Sequence, residues 1–375
     1  MRIVHLANHV ERIGNGIVNV MVDLACTQAN AGHDVVIASS GGSYEPLLAQ
    51  HGVRHIRLDQ SRDPWKTPKM IRGINRLMRE VDPDVVHAHM MTGTMLARFG
   101  ILRRRFALVT TVHNEFQRSA TLMRYGDRVV AVTKAVEHAM IRRGIPSDRI
   151  CTVLNGTLGT PRIEARASDD ATSATPAPQL SRPSIVTIAG LYERKGIKDL
   201  LRAFALLKDA HPDASLYLVG DGPERDGMKA LAHELQLGAR VHFEGFVSNP
   251  APWLAQTDVF VLASHKEPGG LVLSEAREAG CAIVATGVDG NPEMVDHGEA
   301  GMLVPAHAPD QLADAIGSLL GNEALRRDYA ERARRNVEKF SVRRVTDDYM
   351  VVYADALAVF RQKYRRRARP ALESS

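Results

Sequence analysis

The stretch VFVLASHKEPGGLVLSEAREAG, Val259–Gly280, contains one strand, one loop and one helix, and the rest of the chain repeats that unit. VFVL is a short apolar run without alternation, as expected of a strand covered on both faces. SHKEPGG is polar and carries two glycines and a proline, the composition of a loop. LVLSEAREAG has helical composition and stops at Gly280. Gly269, Gly270, Leu271 and Val272 open that helix, where backbone N–H groups lack an intrahelical acceptor. Small residues there let an anion approach, and the helix dipole favours it. A carboxylate stands on each side, Glu267 in the loop and Glu275 along the helix.

The same alternation runs through most of the 375 residues. RIVHLA, DVVIAS, DVVHAH, ALVTTV, RVVAV and RICTVL read as strands. Amphipathic stretches lie between them, such as IVNVMVDLACTQANAG, where Val18, Met21, Val22 and Ala25 share a face and Gly32 is the stop signal. Residues 161–183 break the rhythm, being rich in Pro, Ala, Ser and Thr with only Ile163 and Leu180 as large aliphatics. They are expected to form a flexible linker. Alternation restarts with SIVTIAG, SLYLVG, RVHFEG, VFVLAS, AIVAT and GMLVP. The expected class is α/β, with two doubly wound domains, residues 1–160 and 184–342. SVRRVTDDYMVVYADALAVFRQKY is a long amphipathic helix near the C-terminus, followed by a basic tail.

Composition narrows the function classes. The net charge is +5 and the three cysteines, Cys26, Cys151 and Cys281, are far apart. Scattered cysteines argue for a reducing compartment and against a disulfide framework. No signal peptide is visible and no apolar run approaches a membrane span, so a cytoplasmic protein is expected. The basic balance suits an anionic partner. Arg103–Arg105 and Arg361–Arg369 read as solvated faces, and are compatible with peripheral contact to an anionic membrane.

Ligands of open α/β sheets bind beyond the carboxyl ends of the strands. Four strand ends of the second domain carry Gly-rich or charged loops. IAGLYERKGI places Arg194 and Lys195 after its first strand, and LVGDGPE, VHFEGFVSN and ATGVDGNPEMVDHG follow others. The two cations suit a diphosphate. Carboxylates repel phosphate but accept hydrogen bonds from sugar diols, so Glu267 and Glu275 suit the two diols of a nucleotide sugar.

Other signatures fail. GNGIVN imitates a dinucleotide fingerprint, with Asp34 twenty residues after Gly14, but Asn19 replaces its third glycine. Asp82-Pro83-Asp84 precedes a strand, so it is not read as a metal-binding D-x-D. His87 and His89 share one side of a strand and lack a third ligand, so they read as structural. No G-x-S-x-G or phosphate-binding G-x-x-x-x-G-K occurs. Neither a metal nor a cofactor is expected.

Taken in order, IGNGIVNVMVDLA, DVVHAH, TVHNEF, VVAVTKAV, VLNGT, AGLYERKG, LVGDGPE, FEGFV, EPGGLVLSEAREAG and AIVATGVDGNPEMV resemble the retaining, nucleotide-sugar-dependent glycosyltransferases of family four. The resemblance implies a GT-B fold, two Rossmann-like domains facing a central cleft, with the last helix crossing back to the first domain. It implies donor contacts at Gly16, Phe246 and Val247, the diphosphate at Arg194 and Lys195, the donor sugar at Glu267 and the ribose at Glu275. His113 would lie beside the acceptor and the reacting carbon. The chain departs from the family pattern at Gly190, where an Arg is usual, at Pro268-Gly269, which lacks an aromatic, and at Thr157-Leu158, which lacks an Asp. The implied partners are a nucleotide-sugar donor and a hydroxyl acceptor, in bacterial polysaccharide or glycolipid synthesis, without nucleic acid. An epimerase or hydrolase of the same double fold, or a basic nucleic-acid- or lipid-binding protein, is the alternative.

Overall fold

The computed structural model describes residues 1–61, 63–101, 103–162 and 178–368, except the side chains of Pro64 and of residues 364–368. Residues 163–177, most of the expected linker, and the end of the basic tail lie outside the described residues. The chain divides into two compact units, Met1–Ala165 with Ser341–Ser375, and Arg166–Phe340.

The first unit holds a parallel sheet of β1 (Arg2–Leu6), β2 (Asp34–Ser39), β3 (Arg54–Arg57), β4 (Val85–Ala88), β5 (Ala107–Val112), β6 (Arg128–Ala131) and β7 (Ile150–Thr152). Their order is β3-β2-β1-β4-β5-β6-β7. Burial follows composition: all six residues of β5 are buried, as a central strand with helices on both faces requires. The edge strand β3, RHIR, escapes a sequence reading because Ile56 is its only aliphatic residue and none of its four residues is fully buried. The helix Gly16–Asn30 starts at Asn15, whose side-chain oxygen accepts from the Ile17 N–H at 3.1 Å. Its Val18, Met21, Val22 and Ala25 pack with Val35 and Ile37 of β2.

The helix Val342–Ala368 completes this unit although it follows the second in sequence. Val345, Tyr349, Tyr353 and Ala356 join Ile3, Leu24, Val85 and Val109 in one buried cluster. Two arginines differ from the sequence reading. Arg104, expected on a solvated face, is largely buried and pairs with Asp127 at 2.7 Å, its guanidinium over Phe360. Arg162, expected in the linker, is fully buried and holds Asp23 by two bonds of 2.7 and 2.8 Å. In each case a carboxylate distant in sequence supplies a bidentate partner that composition does not reveal.

The second unit repeats the plan with β8 (Ser184–Ile188), β9 (Ser215–Val219), β10 (Val241–Gly245), β11 (Val259–Leu262), β12 (Ala282–Thr286) and β13 (Met302–Val304). These are parallel in the order β10-β9-β8-β11-β12-β13. The helix Ile197–Leu206 buries Ile197, Leu200, Leu201 and Phe204 against Leu216, Leu218, Leu312 and Ile316. Leu180 packs beside Tyr217 and Val219, so the residues just before β8 belong to this core. Both sheets reverse strand order once, between β1 and β4 and between β8 and β11. Such a switch point leaves a crevice outside the strand ends, and loops leaving on opposite faces flank it.

Candidate functional site

At the second unit's switch point, the loop after β8 carries Arg194 and Lys195 and the loop after β11 carries Glu267. Gly196 lets them meet: its φ is +65°, and a Cβ there would lie 1.9 Å from the Ala263 carbonyl oxygen. Across this contact the His265 N–H donates to the Arg194 carbonyl at 2.8 Å. Lys195 Nζ consequently reaches Glu267 Oε2 in a short ion pair, with only 14% and 8% of the two side chains exposed.

Glu267 is held on every side. Ser264 Oγ donates to its Oε2 at 3.2 Å, and its own N–H donates to Asp289 Oδ2 at 2.8 Å. The Gly290 N–H donates to its carbonyl at 3.0 Å. Asp289, in the loop after β12, has a φ of +42°. Sequence reading quoted that loop without singling out Asp289 or Ser264. The signal available was an Asp-Gly turn following a strand of the same sheet.

The helix Leu271–Ala279 begins at Gly270. A Cβ at Gly270 would meet Leu262 Cδ2 at 2.8 Å and Glu267 Cγ at 3.5 Å, so a bare backbone brings the helix start close to the carboxylate. Gly269, Leu271 and Val272 are half-buried beside it. Glu275 is half-buried on the second turn. Arg277, fully buried, donates to the carbonyls of Met294 and Ala333 at 2.8 and 2.9 Å and to Asp296 at 2.8 Å, fixing the helix direction.

Arg194 stands apart: its side chain is exposed and makes no ion pair among the described residues. At Gly190 a Cβ would lie 2.7 Å from the Tyr192 ring, which covers the backbone there. At the end of β10, Phe246 is half exposed while Val247 packs against the cluster of Val186, Tyr217 and Val219.

The first unit's switch point is built from neutral rings. Gly16 begins the helix after β1 and is half-buried. His113 follows β5, and its Nε2 lies 3.1 Å from His89 Nδ1. His89 Nε2 lies 3.0 Å from His5 Nδ1, and His5 Nε2 is 2.8 Å from Gln28 Oε1. His87 bridges the Tyr353 hydroxyl and Thr111, each at 2.7 Å. Burial lowers His5 to about 4 and His113 to about 3, and takes His87 and His89 well below the usual imidazole value. All four are therefore neutral at pH 7.

Two groups among the described residues bring possible metal ligands within 4.8 Å of one another. In His5, His87 and His89 every ring nitrogen already has a hydrogen-bond partner, so a cation would have to displace those bonds. In the other, His265 Nε2 lies 2.7 Å from Asp199, which Arg202 also pairs at 3.0 Å, and His307 stacks on His265 from the exposed side. Of these, only His87 and His89 stand out in the sequence, because His5 comes from another strand, and Asp199, His265 and His307 come from a helix and two separate loops.

Comparison with known proteins matches both units to one group of enzymes. Residues 14–157 match the family model "Glycosyltransferase Family 4", and residues 170–336 match "Glycosyl transferases group 1". The chain belongs to glycosyltransferase family four. Among its relatives is the N-acetyl-alpha-D-glucosaminyl L-malate synthase of Bacillus anthracis, 28% identical over 92% of this chain and 94% of the relative. The phosphatidyl-myo-inositol mannosyltransferase of Mycolicibacterium smegmatis is 27% identical over 96% of this chain and 93% of its own length. Of solved structures, HepE of Anabaena, in complex with UDP and glucose, is similar with a TM-score of 0.77 at 20% identity, covering 95% of this chain and 100% of that one. Sucrose-phosphate synthase of Thermosynechococcus elongatus is similar with the same TM-score, 0.77, at 22% identity over 95% of this chain and 99% of its own. The fold of this glycosyltransferase is thus GT-B, and its activity is that of a hexosyltransferase. Among the described residues no helix is long and apolar enough to cross a membrane.

Proposed function

We propose that the enzyme transfers a hexose, with retention of anomeric configuration, from a nucleoside-diphosphate sugar bound on the second unit to a hydroxyl acceptor taken by the first. The observation that carries this reading is the Lys195–Glu267 pair beside a glycine-started helix at the β8/β11 switch point. A sugar diphosphate needs a cation and helix N–H groups for its phosphates and an acceptor for its hydroxyls. This crevice has all three within one network.

The pairing of Lys195 with Glu267 gives the site a defined response to its ligand. A buried lysine and carboxylate hold one another in place while the site is empty. An incoming diphosphate competes for Lys195 and frees one Glu267 oxygen for a sugar hydroxyl. As the leaving diphosphate gains charge, Lys195 and the helix start near Gly270 stabilise it. The departing phosphate oxygen takes the acceptor's proton, because no carboxylate is assigned as a nucleophile. Glu275 is assigned to the ribose, Phe246 and Val247 to the border of the base, and Gly16 to the donor phosphates. Arg194 is assigned to the rim, and His113 positions the acceptor or the transferred sugar.

The relatives named for a malate-linked and a phosphatidylinositol-linked product support a small or lipid-borne hydroxyl acceptor. A lipid acceptor would bring the enzyme to an anionic membrane. The helix Thr67–Val81 suits that contact, since Lys69, Arg72, Arg76 and Arg79 are exposed along it and Trp65, 93% exposed, precedes it.

A panel of UDP-, GDP- and ADP-sugars tests the donor reading by thermal stabilisation. One series is expected to raise the melting temperature in wild type and not in Lys195→Ala. Transfer that requires an added hydroxyl acceptor, with product anomer matching donor anomer by NMR, tests the reaction. Stabilisation by none of the three series would contradict the proposal, as would turnover without an acceptor.

A further inference from the structure

We propose that Gln28 fixes the tautomer of His113, so that His113 presents a hydrogen-bond acceptor, Nδ1, and selects a hydroxyl-bearing ligand. The argument starts from the two unlike ends of one amide. Gln28 Nε2 lies 3.8 Å from Met350 Sδ, and a thioether can only accept. Gln28 Oε1 therefore faces His5 Nε2, 2.8 Å away, and that ring nitrogen must carry the proton.

Each neutral imidazole has one N–H, so the direction propagates. His5 Nδ1 is left as an acceptor and takes the His89 Nε2–H at 3.0 Å. His89 Nδ1 then takes the His113 Nε2–H at 3.1 Å. His113 Nδ1 is left with a lone pair and no partner among the described residues. His87 stands beside this chain with a hydroxyl at each ring nitrogen, Tyr353 and Thr111, both at 2.7 Å, and since a hydroxyl can donate or accept, His87 does not set the direction.

The direction of this chain reverses if the Gln28 amide turns over. Adding a proton would be the other way to change direction, and burial of the rings opposes it. Met350, on the helix Val342–Ala368, thus sets the sense of a chain that ends at the site. A group facing His113 Nδ1 must donate. A sugar or acceptor hydroxyl does so, whereas a phosphate or carbonyl oxygen cannot.

The selection of a hydroxyl rests on the proposed function, but the tautomer does not. The test is ¹⁵N NMR of histidine-labelled protein at pH 7, which distinguishes Nδ1–H from Nε2–H rings. Wild type is expected to show His113 as a single Nε2–H tautomer. Gln28→Met is expected to show a mixture and a kcat lowered about tenfold, the worth of one hydrogen bond, with donor KM within about twofold. Met350→Leu, a mild core change, is expected to introduce a minor Nδ1–H population. An Nδ1–H ring at His113 in wild type overturns the inference, and so does a single unchanged tautomer with unchanged kcat in Gln28→Met. Should Gln28→Met fail to fold, the wild-type spectrum and Met350→Leu decide alone. The expected tautomers without any sugar transfer would uphold the inference about Gln28 and remove the functional reading.

Discussion

The two units share one strand order and furnish their switch points in opposite ways. Between β8 and β11 the second unit sets a charged pair, Lys195 and Glu267, fixed by Ser264, Asp289 and Gly290. Between β1 and β4 the first unit sets uncharged imidazoles, His5 and His89, linked onward to His113. The same backbone crevice is electrostatic in one unit and directional in the other. Charge suits an anionic donor whose leaving group gains charge. A neutral, oriented ring suits a hydroxyl that must be placed without being ionised. The difference lies in side chains alone, since both crevices arise from the same topology.

The largest expected effect tests the charged side. Glu267→Ala should lower kcat by roughly 100-fold or more while leaving donor binding comparatively intact, measured by steady-state kinetics. A double-mutant cycle with Lys195→Ala should show strong coupling, because each group keeps the other's charge compensated.

The next tests the neutral side. His5, with its pKa lowered from 6.5 to about 4, binds its proton more weakly when folded than when unfolded. Its stabilising contribution is therefore complete above pH 6.5 and is lost as pH falls toward about 4. For His5 alone the loss is on the order of 3 kcal/mol. Urea titrations between those limits should show a steep decline that His5→Gln reduces. A flat profile would remove the claim that the rings are buried and neutral.

Smaller effects sharpen the assignment within the second unit. Glu275→Ala should raise the donor KM about tenfold with kcat little changed, as loss of a hydrogen bond to bound donor would. Arg194→Ala should change donor affinity within about threefold, because an exposed guanidinium is screened by solvent. A larger effect for Arg194→Ala than for Lys195→Ala would exchange their roles.

Much of this was legible in the sequence wherever one strand or one turn carried the signal. Apolar runs such as ALVTTV and VFVL announced central strands, and Gly32 and Gly280 marked the ends of two helices. The edge strand Arg54–Arg57 was not legible, because a strand with one aliphatic residue has no hydrophobic period. At the site, Glu267 and Lys195 could be read individually as residues following strands. Their mutual ion pair could not, since 72 residues separate them and only the β8/β11 reversal makes them neighbours. The histidine chain was hidden for the same reason. His5 lies in β1, His89 and His113 follow β4 and β5, and Gln28 and Met350 come from two helices. Buried Arg104 and Arg162 show that a basic residue's surroundings are set by its carboxylate partner, not by its own run of sequence.

The central claim is that the Lys195–Glu267 crevice binds a diphosphate at one partner and a sugar at the other. Calorimetric titration of wild type, Lys195→Ala and Glu267→Ala with a nucleoside diphosphate and with its sugar ester tests it directly. Lys195→Ala should weaken both ligands by about tenfold or more, as loss of a charge-assisted contact would. Glu267→Ala should bind the diphosphate like wild type and lose the extra affinity contributed by the sugar. Equal affinities for both ligands in all three proteins would contradict the account.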